Sequence, residues 1–194
     1  FNTVEVGDNI NLYFTQSNAK SIIVKAGKNI QEHIDLHVSG GTLFIENNNR
    51  CNWVRSFKKE IDIYISLPEL KSIVYRGGGD IKFMNQFNQS TLLVDMWKAS
   101  GNIEFNINAS YVSLRSHSGT ADITCYGSTN ELILYTNGNG ILNAENLNTI
   151  KATAVNKNTG RLILTVQDEL NAEISGSGNI CLLYTSPSPR DKRQ

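Results

Sequence analysis

Asp80, Asn102 and Asp122 occupy matching places, each one residue after a small turn residue in GGGDI, ASGNI and GTADI. Carboxylates repeated in this way could do acid–base work on a glycosidic bond if the segments stack. Two sheet spacings of about 4.8 Å would set Asp80 and Asp122 about 9–10 Å apart, at or just beyond the upper edge of the roughly 6.5–9.5 Å that inverting glycosidases use. Asp and Asn side chains at turns also bond nearby backbone N–H groups, which would make the column a turn ladder. The ladder is the expectation, because the catalytic reading needs one acid with a raised pKa and no apolar pocket is evident around either.

Other candidates for chemistry thin out quickly. His33 and His37 stand four apart in EHIDLH. On a helix they would share a face, but this stretch passes into an alternating strand, where four residues span about 13 Å. No third ligand stands nearby, so no metal is expected. Cys51, Cys125 and Cys181 lack metal-ligand spacing and are too few for a disulfide framework; Cys125 reads as a small core residue. RGGGD precedes a strand-like IKF, not the helix N-terminus that a phosphate loop needs. No nucleophile elbow, P-loop or dinucleotide fingerprint is present, and no cofactor or enzyme activity is expected.

Aromatic residues offer a binding surface instead. Tyr75, Trp97 and His117 each stand four places before a small turn residue, with Asp95 and Arg115 nearby. If Val74, Met96 and Ser116 point inward, the three rings face out and stack along the molecule. Rings with a few polar neighbours suit a flat patch for a sugar or a protein. A parity shift of one residue would put the same rings in the core. Trp53, with Arg55 and Phe57, sits in the Asn-rich stretch NNNRCNWVRSFKK, an expected exposed loop that either binds or caps an open end.

The elements that position these residues follow from a repeat. GGGDI, ASGNI, GTADI, GNGIL, NTGRL and GSGNI carry their middle small residue at Gly79, Gly101, Ala121, Gly140, Gly160 and Gly178, a period near 20 residues. Two places on stand Ile81, Ile103, Ile123, Leu142, Leu162 and Ile180; four places on stand Phe83, Phe105, Cys125, Ala144 and Leu164. The residues between them are mostly polar. In-out-in alternation is the strand period, and one such turn cannot bury its apolar side alone, whereas stacked turns can. The expected fold is all-β, a parallel β-helix-like solenoid, with Gly and Asn supplying positive φ where the coil bends. A β-sandwich with evenly spaced hairpins is the competing architecture. Ahead of the repeat, VGDNINLYFTQ, SIIVKAG, TLFIEN and KKEIDIYISLPELKSIVY read as strands of wider opening turns. The best short helix candidate lies around Asn29–Ile34.

The succession FNTVEVGDNINLYFTQ, SIIVKAGKNIQEHIDLHVSGGTLFIEN, IDIYISLPELKSIVYRGGGDI and then the repeated SG-type turns resembles the head GIN domain family of auto-transporter adhesins, over residues 1–180. The resemblance implies a right-handed parallel β-helix, an exported, periplasmic or cell-surface location in Bacteroidetes-like bacteria, and a role in adhesion. It brings no catalytic residues. The last stretch, CLLYTSPSPRDKRQ, resembles a translated sequencing adapter, so residues 181–194 are expected to be a non-native tail on a truncated single domain of residues 1–180. A last turn cut there would expose an unpaired edge that invites self-association.

Composition agrees with this picture. The 194 residues carry 18 Lys and Arg against 18 Asp and Glu, a net charge of zero that argues against nucleic acid. No apolar run reaches the roughly 18 residues of a membrane helix. The chain opens FNTVEV without Met or a visible leader, so a membrane anchor would have to lie in a leader ahead of Phe1. The expectation is a non-catalytic surface or envelope protein that presents side chains on a rigid coil to a glycan or protein. A carbohydrate-active enzyme using a carboxylate pair and a purely structural envelope module are the alternatives.

Overall fold

A computed structural model of the chain describes residues 1–49 and 61–183. Among the described residues, alternating segments form β1 (Thr3–Asp8), β2 (Asn11–Gln16) and β3 (Ser21–Lys25), then a single helical turn α1 (Lys28–Gln31). There follow β4 (Ile34–Ser39), β5 (Thr42–Asn47), β6 (Asp62–Leu67), β7 (Ser72–Gly77) and β8 (Ile81–Phe83). The repeat itself supplies β9 (Phe87–Met96), β10 (Asn102–Ser116), β11 (Asp122–Thr136), β12 (Ile141–Asn156), β13 (Arg161–Ile174) and β14 (Asn179–Leu183). All the strands join one continuous sheet that coils upon itself, so the fold is the expected β-solenoid with turns of about 20 residues.

Strand pairing is parallel from turn to turn. The exceptions are β3 on β6 and β4 on β5, which close the N-terminal end antiparallel. The β4–β5 hairpin turns through Gly40 and Gly41 at φ 55° and 80°, the pair of positive φ values that a two-residue hairpin of this hand demands. The opening segments form turns of the same domain, but their order in the stack is not their order in the chain. β1 lies between β5 and β7, and β2 lies between β6 and β8. The first turn is thus inserted between two turns made later in the sequence. It buries Val4, Val6, Ile10, Leu12 and Phe14 completely.

The inward columns follow the register. Leu12, Ile63 and Ile81 share one with Ile103, Ile123, Leu142 and Leu162. In the next, Phe14 meets Phe83 edge-on at 5.8 Å between centroids, and Phe83 meets Phe105 at 4.8 Å. Beyond Phe105 that column narrows to Cys125 and Ala144 before widening again at Leu164. Each fully buried Phe adds about 1.5–3 kcal/mol of burial, so the ring cluster anchors the N-terminal half. A third column changes character along the axis: Val6, Tyr75 and Met96 give way to Ser116, Thr136 and Asn156, all buried.

The repeat glycines act through closeness, not through backbone hand. Positive φ occurs at Asp8, Lys98, Gly40, Gly41, Gly119 and Gly127, and not at Gly79, Gly101, Gly140, Gly160 or Gly178. A Cβ on Gly101 would lie 1.7 Å from the Gly79 carbonyl oxygen, and one on Gly140 would lie 2.0 Å from that of Ala121. The expectation of positive φ at these places is therefore corrected: successive turns touch there, backbone on backbone.

β14 runs through Cys181 to Leu183, and Cys181 and Leu182 keep the register against Ile163 and Leu164. Residues 184–194 lie outside the described residues, as do Trp53, Arg55 and Phe57 of the loop singled out above.

Candidate functional site

The Asp column is built from its own turns. Asn11 Nδ2 donates to Asp62 Oδ1 at 2.9 Å, and the Asp80 N–H donates to Asn11 Oδ1 at 2.9 Å. Asp80 Oδ1 then accepts from the N–H and Nδ2 of Asn102 at 2.8 and 3.2 Å. Asp122 Oδ1 accepts the Ile141 N–H at 2.7 Å. Each side chain ties one turn to the next, which is the ladder expected from turn chemistry. Asn102 stands in register between the two carboxylates, all three are exposed, and each carboxylate is already held by a neighbouring backbone N–H. This arrangement performs a structural task. Among the described residues, no group of three or more His, Cys, Asp or Glu is placed to hold a metal ion. His37 bonds Asp35 at 3.3 Å and stacks on Phe44, while His33 stands apart on the surface.

The aromatic column is corrected at one position. Tyr75 pairs in register with Met96, not with Trp97, and its ring is completely buried. Its hydroxyl donates to the Gly79 carbonyl, and burial pushes its pKa upward, with Asp80 adding to the shift. Tyr75 is therefore a core residue and is withdrawn from the surface set. The reason lies in the length of the bend. Four residues separate Tyr75 from Gly79, whereas five separate Met96 from Gly101 and Ser116 from Ala121. The longer bends absorb their extra residue at positive φ, Lys98 at 56° and Gly119 at 107°. Counting back from the small residue thus lands inside at one turn and outside at the next two. Arg76 takes the outward place beside Trp97 and forms an ion pair with Glu5.

Trp97 and His117 do face out. Trp97 is 44% exposed, and its ring lies on the His117 ring at 4.0 Å with planes 7° apart. His117 Nε2 is 3.0 Å from Asp95 Oδ1, a bond that holds the imidazole in the stack. On its far side His117 meets Tyr135, tilted at 5.5 Å. Asp95, Arg115 and Tyr135 share one register column, and Arg115 Nε donates to Ser113 Oγ at 3.1 Å. Four of the five anticipated residues, Trp97, His117, Asp95 and Arg115, therefore meet on one outer wall. Tyr135 was missed because the residue four places before Gly140 is the buried Thr136; the register of Arg115 with Tyr135 is the signal that finds it. Stacking covers one face of each ring, which leaves ring edges and the outer face of Trp97 for a ligand.

Burial, in contrast, silences Cys125, whose thiol is pushed up to about 12. Among the described residues no helix is long and apolar enough to cross a membrane.

Known proteins agree with the fold. A putative adhesin from Bacteroides fragilis superposes with a TM-score of 0.80 at 23% identity, covering 94% of this chain and 92% of that one. A putative lipid binding protein from Parabacteroides distasonis gives 0.62 at 16% identity, with the same coverage of both chains. A putative adhesin from Parabacteroides merdae gives 0.55 at 14%, again over 94% and 92%. No protein of curated function matches the chain. The model of one family, described as putative auto-transporter adhesin, head GIN domain, matches residues 1–184, and the chain belongs to that family.

Proposed function

We propose that this chain is a non-catalytic adhesin-type module of the cell surface or envelope that binds a glycan or protein through the outer wall around Trp97. Membership of an adhesin family supports the general role and an extracellular or envelope setting. The observation that carries the sited part is the exposed Trp97 ring, locked face to face on His117, which Asp95 holds in turn. Large, rigid, half-exposed aromatics cost little entropy on binding and dominate recognition surfaces. The sheet beneath them is hydrogen-bonded on both edges, so the surface is preorganised. Arg115 and Asp95, paired in register, supply charged groups of opposite sign beside the rings.

The experiment is a glycan and protein array probed with the wild-type chain and with Trp97→Ala. Signals present in the wild type and lost in the variant support the reading. Signals unchanged by the substitution move the contact surface elsewhere. Silence on both arrays favours a purely structural envelope module.

A further inference from the structure

A second surface stands apart from Trp97, at the corner where each turn passes from one wall of the coil to the next. Across four successive turns this corner carries three outward columns, exposed except for the half-buried Asn108 and Tyr126 and headed by Gln86, Asn88 and Ser90. In the rungs below, the register sets Asn106 beside Tyr126 and Asn146, and Asn108 beside Ser128 and Asn148. No residue in the three columns is charged. Charges resume on both flanks, where Lys82 pairs with Glu104 at 2.9 Å and Lys151 with Glu169 at 2.8 Å, while the exposed Glu145 borders Asn146 outside these pairs.

The amides are partly wired together. Asn108 Nδ2 donates to Asn88 Oδ1 at 3.1 Å, and Ser128 Oγ donates to Asn108 Oδ1 at 2.9 Å. Gln86 Nε2 reaches Asn106 Oδ1 at 3.1 Å. The wiring stops there. The side chains of Asn146 and Asn148, two turns along, bond no described residue and leave both amides to solvent. The backbone is distorted at this place. The β11–β12 register shifts between Thr124 and Tyr126, and Gly127 takes φ 114° where a Cβ would lie 2.0 Å from the Ile107 carbonyl oxygen. The extra residue of this bulge lies on β12, where the exposed Glu145 borders Asn146. Tyr126 is the one ring in the three columns, which otherwise carry amides and hydroxyls and end at the exposed Ile150.

We infer that this corner is a second binding site, for an extended uncharged polysaccharide. An amide offers a donor and an acceptor at every rung, as a sugar hydroxyl does, and the rungs recur at the strand spacing of about 4.8 Å along a straight line. A linear polymer can use such a line; a compact ligand cannot. An acidic polymer would find no cation unpaired within the columns, and a protein partner would find neither Arg nor Trp anchors there. Tyr126 provides the apolar contact against a sugar face.

The test is affinity electrophoresis of the full chain through gels containing soluble β-glucan, galactomannan or dextran, with polygalacturonate as the acidic control. Two variants are compared: Asn146→Ala with Asn148→Ala, which breaks no internal hydrogen bond, and Tyr126→Ser. Trp97→Ala separates this site from the aromatic wall. The expected result is retardation by at least one uncharged polymer, weakened about tenfold or more in both corner variants and unchanged in Trp97→Ala. No retardation by any of the three uncharged polymers overturns the inference. So does retardation by polygalacturonate alone, or retardation that Trp97→Ala abolishes while the corner variants keep it.

Discussion

Gly101→Ala is the sharpest probe of how the turns are held together. Gly101 is not at positive φ, so a methyl group costs nothing in backbone hand. It costs space. The added Cβ would lie 1.7 Å from Gly79 O, 2.6 Å from Gly79 C and 2.9 Å from the Tyr75 hydroxyl. Real contacts begin near 3.0 Å, so two backbones must part by roughly 1.3 Å in an interior packed as tightly as a crystal. Overpacking of this kind costs about 1–3 kcal/mol. The bond that bridges the same step, Ser100 N–H to Gly77 O at 3.0 Å, weakens as the turns part, at about 0.5–1.5 kcal/mol. The sum is about 3 kcal/mol, or about 6–12 °C in Tm for a domain of this size. Ala121 occupies the equivalent place one turn on and is completely buried, so a methyl group is accommodated at that step and not at Gly79–Gly101. Thermal and urea unfolding would be measured beside Gly7→Ala, whose Cβ meets nothing within 4 Å and which should change stability by less than about 0.5 kcal/mol. If Gly101→Ala unfolds together with Gly7→Ala, close approach is not what requires glycine here.

Three further outcomes follow from the packing. Phe105→Ala, which empties a ring from the phenylalanine cluster, should cost about 3–5 kcal/mol in urea unfolding, whereas Cys125→Ala in the same column should cost much less. Because burial pushes Cys125 up to about 12, the folded state keeps a thiol proton that the unfolded chain releases from about pH 8.5. Above that pH the unfolded state binds fewer protons, so stability should fall as pH rises, and the urea midpoint should fall less in Cys125→Ala between about pH 8 and 10. Asp122→Asn keeps the acceptor for the Ile141 N–H and should leave stability unchanged, while Asp122→Ala should lose about 0.5–1 kcal/mol in the same assay.

The sequence made the coil legible because stacking forces one side-chain type into one column. Ile81, Ile103, Ile123, Leu142 and Leu162 could be aligned by eye, and they are aligned in space. The Asx ladder was legible for the same reason. Bend length was not. A single residue more between Met96 and Gly101 than between Tyr75 and Gly79 is invisible when the eye counts from the glycines, yet it reverses which side of the wall a ring occupies. The insertion of β1 and β2 between later turns was also hidden, since periodicity reports that segments stack and says nothing of their order. Tyr135 escaped for a related reason: its value comes from lying beside Arg115 and His117 across turns, a relation that only register supplies.

The decisive experiment probes the glycan and protein arrays with three proteins together: wild type, Trp97→Ala and Tyr75→Phe. Trp97→Ala removes a ring from the outer wall and should abolish the array signals other than those of extended uncharged polysaccharides, while leaving Tm nearly unchanged. Tyr75→Phe removes a buried hydroxyl and should lower Tm while leaving the signal intact. A signal that survives Trp97→Ala but disappears in Tyr75→Phe at a temperature where that variant is folded would contradict the proposed binding wall.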